Sequence, residues 1–242
     1  MVSKSQIKLI TSLQQKKYRE KYGLFLAEGP KIIKEFLKAS YQVHSLFSID
    51  GKGLENIDYC QVNLNELKKI SSLKSANSAL AIIHIPKHKI TSHKGIIVAL
   101  DAVRDPGNLG TIIRLCDWFG IEQLVCSLDT VDCFNPKVVQ AAMGSTARVN
   151  INYEDLSEYI NESNLPVYGG CMDGYSVYQE NFPEELIIVL GNEANGISDE
   201  IINTLTKKIT IPQFGDNKET ESLNVATATA ILLSEIRRKT KN

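Results

Sequence analysis

The chain has no Cys-x-x-Cys pair. Its five cysteines, at 60, 116, 126, 133 and 171, are odd in number and scattered, which fits reduced thiols and argues against a disulfide framework or a cysteine-built zinc site. Histidine is absent from residue 94 onward, the four lying at 44, 84, 88 and 93. Chemistry in the C-terminal part must therefore run without an imidazole of its own as base, nucleophile or metal ligand. No apolar run approaches the roughly 20 residues that span a bilayer. The N-terminus, Met-Val-Ser-Lys-Ser-Gln, lacks a signal-peptide apolar core, so a cytoplasmic protein is expected. The glycine-rich loop at 191–196 is neither Gly-x-Gly-x-x-Gly nor a phosphate-binding Gly-x-x-x-x-Gly-Lys-Ser/Thr loop, which leaves nicotinamide or ATP chemistry little support. No internal repeat or low-complexity tract is present.

What is there describes a globular protein: 242 residues, 43% hydrophobic and 23% charged, enough for one large domain or two modest ones. The net charge of −1 conceals an asymmetry. Residues 1–90 carry a net +8 and residues 91–242 a net −9. Such segregation suggests two units with different partners, and a basic first unit suits a nucleic-acid phosphate backbone.

In order, residues 3–22 read as a helix in which Ile7, Ile10 and Leu13 share a face. Its polar end interleaves Lys16, Lys17, Arg19 and Lys21 with Tyr18 and Tyr22, a mixture suited to RNA phosphates and exposed bases. Taken alone, the same segment is equally a solvated helix end. Leu24–Ala27 reads as a strand, and Glu28-Gly-Pro30 opens a second helix with proline at an allowed early position. A strand at Val43–Ile49, a helix at Asn63–Leu73 and a strand at Ala81–Ile85 complete a small mixed α/β domain. The polar stretch from Lys87 to Lys94 separates it from the C-terminal part of the chain, giving domains at 1–88 and 95–242 with a linker at 89–94.

Ile96–Leu100 is a continuous apolar run of the kind parallel sheets bury on both faces. Further strands are expected at Gln123–Ser127, Arg148–Ile151, Val167–Gly170, Leu186–Leu190 and Lys208–Ile211, with helices between most of them. That alternation predicts a largely parallel sheet flanked by helices, with ligands at the carboxyl ends of its strands. Three Gly- or Asn-rich loops lie there, at 104–110, 191–196 and 212–224. In the first, Asn108 is placed to cap a helix whose buried stripe is Leu109, Ile112, Ile113 and Cys116. Arg114 projects off that stripe, where a guanidinium can hold phosphate through two nitrogens or make a surface salt bridge. The third loop leads to Ser222, a good N-cap, and then to two apolar stripes: Val225, Thr229, Leu232, Ile236 and Ala226, Ala230, Leu233. A helix apolar on two faces is normally buried on both sides.

Three motifs in this order carry a resemblance: Asn108 with Arg114, Gly191-Asn-Glu-Ala-Asn-Gly-Ile-Ser198 after a strand, and Ile211-Pro212 leading to Ser222-Leu-Asn-Val225. They resemble the SpoU/TrmH branch of the SPOUT RNA methyltransferases over roughly 96–240. The N-terminal region resembles the L30e-like substrate-binding domain that some members carry. The resemblance implies an α/β domain with a deep C-terminal trefoil knot holding S-adenosylmethionine, paired as a homodimer, with no metal and no membrane. Cofactor contacts carried across are Gly191, Ile211 and Leu223, with Gly170 in addition. Catalytic positions are Arg114, Asn108, Glu193, Ser222 and Asn224, and RNA-binding positions in the first domain are Lys16, Lys17, Arg19 and Lys21. The implied reaction is methylation of a ribose 2′-hydroxyl in rRNA or tRNA, with rRNA favoured. The sequence departs from the pattern twice, with six residues between Gly215 and Ser222 and with Ala226-Thr227 after Asn224-Val. Two rival readings remain: a non-catalytic RNA-binding relative acting in ribosome assembly, and an unrelated nucleotide-dependent α/β enzyme.

Overall fold

The computed structural model describes residues 2–55, 57–86, 94–215 and 222–240. They gather into two compact units, 1–87 with 132–148 and 88–131 with 149–242. In the first, α1 (Lys4–Ser12) and α2 (Lys16–Tyr22) stand where the sequence reads as one helix. The break has a local cause. Leu13 is fully buried at the end of α1, and its carbonyl accepts from Arg19 Nη1 at 2.8 Å. A side chain thus satisfies a carbonyl that helix termination leaves open, and Gln15 turns extended before α2 begins.

After Gly23, left-handed at φ 62, come β1 (Leu24–Glu28), α3 (Pro30–Lys38), β2 (Val43–Ser48), β3 (Cys60–Gln61), α4 (Leu64–Ile70) and β4 (Ala79–His84). The sheet order is β1-β4-β2-β3. The two-residue β3 is too short to leave a sequence signal. Helix α4 ends three residues earlier than its pattern predicts. The following Ser71 is extended, and it donates with Ser72 to the buried carboxylate of Glu28, Ser72 N at 2.7 Å. That side-chain network outcompetes another helical turn.

The second unit begins with β5 (Ile96–Leu100), α5 (Pro106–Trp118) and β6 (Gln123–Ser127). The next segment, Asp132–Arg148, groups with the first unit and carries α6 (Pro136–Ala142) and a 3-10 turn at Ser145–Ala147. There Phe134 packs on Phe25, ring centroids 4.6 Å apart, and Arg148 pairs with Glu35. A division by chain position cannot register this return. The linker assigned to 89–94 lies, apart from Lys94, outside the described residues.

The second unit resumes with β7 (Asn150–Glu154), α7 (Leu156–Glu162), β8 (Val167–Ser176), β9 (Leu186–Leu190), α8 (Asp199–Ile202), β10 (Lys207–Thr210) and α9 (Val225–Thr240). Its six strands run in the order β10-β8-β9-β5-β6-β7, every neighbouring pair parallel. The central β5 and β9 are buried at every residue, as the continuous apolar runs predict. Strand β7 starts later than expected because Arg148 N–H is held by Ser145 in the 3-10 turn. Helix α7 sets Leu156, Tyr159 and Ile160 against Ile97, Val125 and Ile187. Arg237 of α9 donates to the carbonyls of Phe119 and Gly120 at 2.8 and 2.7 Å, satisfying the C-terminal end of α5.

Candidate active site

The three loops follow β5, β9 and β10, at the carboxyl edge of the parallel sheet. The first enters α5 through Asp105, whose Oδ1 accepts from the N–H of Asn108 at 2.8 Å, with Pro106 in the first turn. Asp105 is therefore the cap, and the capping role expected of Asn108 is corrected. Its side chain is free to leave the helix. Leu109, Ile112, Ile113 and Cys116 are fully buried, so Arg114 emerges on the exposed side. It has no hydrogen-bond or ionic partner among the described residues.

The second loop closes on itself, Asn192 and Gly196 exchanging backbone hydrogen bonds at 2.9 and 2.8 Å. Gly191 is required by space, since a Cβ there would sit 2.1 Å from the carbonyl carbon of Gly196. Ser198 N–H donates to the buried Asp101 at 2.7 Å, tying the end of this loop to the first. Glu193 at the loop's tip is exposed.

At the third loop, α9 begins at Val225. Asn224 Oδ1 accepts from the N–H groups of Ala226 and Thr227 at 3.0 and 3.2 Å. Asn224 is the cap, not Ser222, which lies exposed three residues before the first helical residue. This bonding fixes the amide. With its oxygen occupied by backbone donors, Asn224 presents Nδ2 outward and donates to Asn108 Oδ1 at 2.9 Å. Asn108 must then present its own Nδ2, which donates to Glu193 Oε1 at 2.6 Å. One continuous relay, Glu193–Asn108–Asn224–helix N-terminus, joins residues 85 and 116 positions apart.

The remaining expected positions make no hydrogen bond to this relay among the described residues. Ile211 and Gly170 are half-buried and Leu223 is 47% exposed. Residues 216–221 of the lengthened loop lie outside the described residues. Sequence reasoning passed over Asp101, Ala102, Ser127 and Asn192, which brace the loops. Asp101 directly follows an all-apolar strand and Asn192 directly follows Gly191, and those placements were the available signals.

In the first unit, Lys16, Lys17 and Lys21 are exposed. Lys17 and Lys21 sit 4.9 and 5.5 Å from the ring centroids of Tyr18 and Tyr22, whose rings stack 6.2 Å apart. Arg19 does not belong with them. It is 2% exposed, donates through Nε to Asp132 at 2.7 Å and holds Leu13. The reason is geometric: Arg19 lies two residues from both Lys17 and Lys21, about 200° round the helix, on a buried side where charge demands pairing.

Loops converging at the carboxyl edge of an all-parallel sheet, tied by a carboxylate–amide relay, define the site of an α/β enzyme. The SpoU rRNA Methylase family matches residues 95–234, and the MRM3-like substrate binding domain matches residues 4–81. The chain belongs to the SpoU rRNA methylase family. It is 30% identical over 235 residues to the 23S rRNA (guanosine(2553)-2′-O)-methyltransferase RlmP of Bacillus subtilis, covering 93% of each chain. Among solved structures it superimposes with a TM-score of 0.90 on a putative RNA methyltransferase of the TrmH family from Porphyromonas gingivalis, 37% identical over 99% of both chains. An AdoMet-bound rRNA methyltransferase from Sinorhizobium meliloti is 27% identical, with a TM-score of 0.87 and 98% of this chain and 97% of that chain covered.

Proposed function

We propose that the chain transfers the methyl group of S-adenosylmethionine to a ribose 2′-hydroxyl of rRNA. The observation that carries this reading is the Glu193–Asn108–Asn224 relay, which draws one residue from each of the three motif-bearing loops into a single network. The loops fit the cofactor. Met172, Phe214 and Leu223 are 62, 82 and 47% exposed on or beside them, offering apolar cover for a purine and for the methylenes of the methionine chain. Gly191, Ile211, Leu223 and Gly170 would hold the group. When bound it supplies an electrophilic methyl that needs only an activated oxygen.

The protein's part is to orient and activate that oxygen. A 2′-hydroxyl is a weak nucleophile until its proton is lost or its developing charge is stabilised. Arg114, exposed and without an internal partner among the described residues, is suited to grip the adjacent phosphate and stabilise the developing alkoxide. A guanidinium, which stays charged, is a poor base. The Glu193 oxygen not bound by Asn108 has no partner among the described residues; in this reading it accepts a hydroxyl proton or fixes a ribose. Ser222 adds a hydroxyl at the mouth of the site. Lys16, Lys17 and Lys21, with Tyr18 and Tyr22, form the RNA-gripping face of the substrate domain.

A trefoil knot and a homodimer belong to the same proposal. The two stripes of α9 lend the dimer little support: Val225, Ala226, Thr229, Leu232, Leu233 and Ile236 are buried within one chain and Ala230 is half-buried. Trp118, 84% exposed at the end of α5, supports it instead, together with Phe214. The test of function is transfer of a tritiated methyl group to rRNA from cells lacking this protein, with 2′-O-methyl mapping of the product. No incorporation by the wild-type chain would overturn the reading.

A further inference from the structure

We propose that Asn192 is a positioning residue for methyl transfer, holding the loop that carries Asn108 in register with the loop that carries Glu193. The inference rests on the methyl-transfer reading of this site. Ala102 has φ 57 without being glycine, a left-handed conformation that a Cβ disfavours. Such a residue persists only where its surroundings over-determine it.

Ala102 is held on both sides. Its N–H donates to Ser127 Oγ at 2.9 Å, and its carbonyl accepts from Asn192 Nδ2 at 2.7 Å. Ser127 is itself fixed against Asp129 at 2.7 Å. Every other polar bond of Asn192 among the described residues stays inside its own loop: its backbone pairs with Gly196, and its Oδ1 accepts from Ala194 N–H at 2.8 Å. The Nδ2 bond leaves the loop, reaching a residue 90 positions away.

Glu193 is the next residue after Asn192. On the other strand-end, Ala102 lies three residues before the Asp105 cap that sets where Asn108 leaves α5. The Asn192–Ala102 bond and the Glu193–Asn108 bond therefore join the same two loops, beside the Ser198–Asp101 tie. The first holds the backbone so that the second can form at the catalytic side chains. A misplacement of about 1 Å at such a site can cost about 100-fold in rate, which gives this remote contact leverage over chemistry.

Two variants separate the roles of the side chain. Asn192→Asp keeps the acceptor for Ala194 N–H but replaces the donor to Ala102 with a second acceptor facing a carbonyl. Asn192→Ala removes both. Both are expected to lower kcat about 10- to 100-fold, with KM for RNA and the calorimetric affinity for S-adenosylmethionine within twofold of wild type. In nitrogen-15-labelled protein, the side-chain amide resonances of Asn108, now held by Glu193, should move in both variants. An Asn192→Asp enzyme with wild-type kcat, or variants whose rate loss is matched by lost cofactor affinity, would overturn the proposal. So would unmoved Asn108 resonances, an arm that decides even if the wild-type chain transfers no methyl group, a result that would count against the functional reading instead.

Discussion

Asn108 Nδ2 lies 2.6 Å from Glu193 Oε1, and the oxygen of the same amide accepts from Asn224 at 2.9 Å. The amide is useful here because it donates in one direction and accepts in the other. No carboxylate in its place could bond to Glu193 and Asn224 together without a proton.

Replacing Asn108 by Asp sets two carboxylates against each other at this distance. The methyl-transfer kcat is expected to fall about 100-fold or more, in the range seen when a preorganised donor is removed, with cofactor affinity changing little. Like charges raise the pKa of one partner. Proton sharing would therefore restore part of the rate as pH falls, and a kcat profile over roughly pH 5 to 8 reads this directly.

Arg114 makes no internal bond among the described residues, so its removal tests substrate chemistry rather than stability. Arg114→Ala should abolish methyl transfer while leaving cofactor binding and melting temperature near wild type. Arg114→Lys should recover little, because an ammonium cannot match the two-nitrogen geometry of a guanidinium on phosphate. Near-normal turnover of the alanine variant in a radiolabelled methyl assay would remove Arg114 from the mechanism.

The buried Arg19–Asp132 pair predicts the opposite pattern. The two side chains are 2% and 15% exposed, and deleting one partner strands the other. Arg19→Ala should cost about 3–5 kcal/mol in urea unfolding of the first unit. The double change Arg19→Met with Asp132→Leu should recover a large part of that stability, since no uncompensated charge remains.

On the exposed face of α2, lysine and tyrosine should fail differently. Removing Lys16, Lys17 or Lys21 should lower RNA affinity and reduce the slope of log affinity against log salt by up to about one for each phosphate no longer neutralised. Leucine at Tyr18 or Tyr22 should weaken binding of unpaired RNA by roughly 1–3 kcal/mol, with the salt slope unchanged. Fluorescence titrations at several salt concentrations distinguish the two.

Much of the second unit was legible in the chain. Ile96–Leu100 and Leu186–Leu190 are apolar at every position, a pattern set by burial on both faces, and both form central parallel strands with the expected limits. The Gly- and Asn-rich loops were legible for a related reason, because strand ends that approach other backbones need residues such as Gly191, whose Cβ has no room. The caps were not legible. Asp105 and Asn108, or Ser222 and Asn224, are equally good capping residues within a few positions, and the choice depends on which side chain has a partner elsewhere.

The sequence by itself determined the parallel α/β architecture, the three loops and the residue types they carry, because periodicity, apolar runs and glycine requirements are properties of neighbouring residues. Only the tertiary structure decided that Asn108 turns to Glu193 and Asn224, that Arg19 is an anchor rather than an RNA contact, and that 132–148 packs with the first unit. Each of those outcomes rests on hydrogen-bond partners or contacts many positions away along the chain. A polar side chain's role is fixed by the partner that satisfies it, and folding supplies that partner.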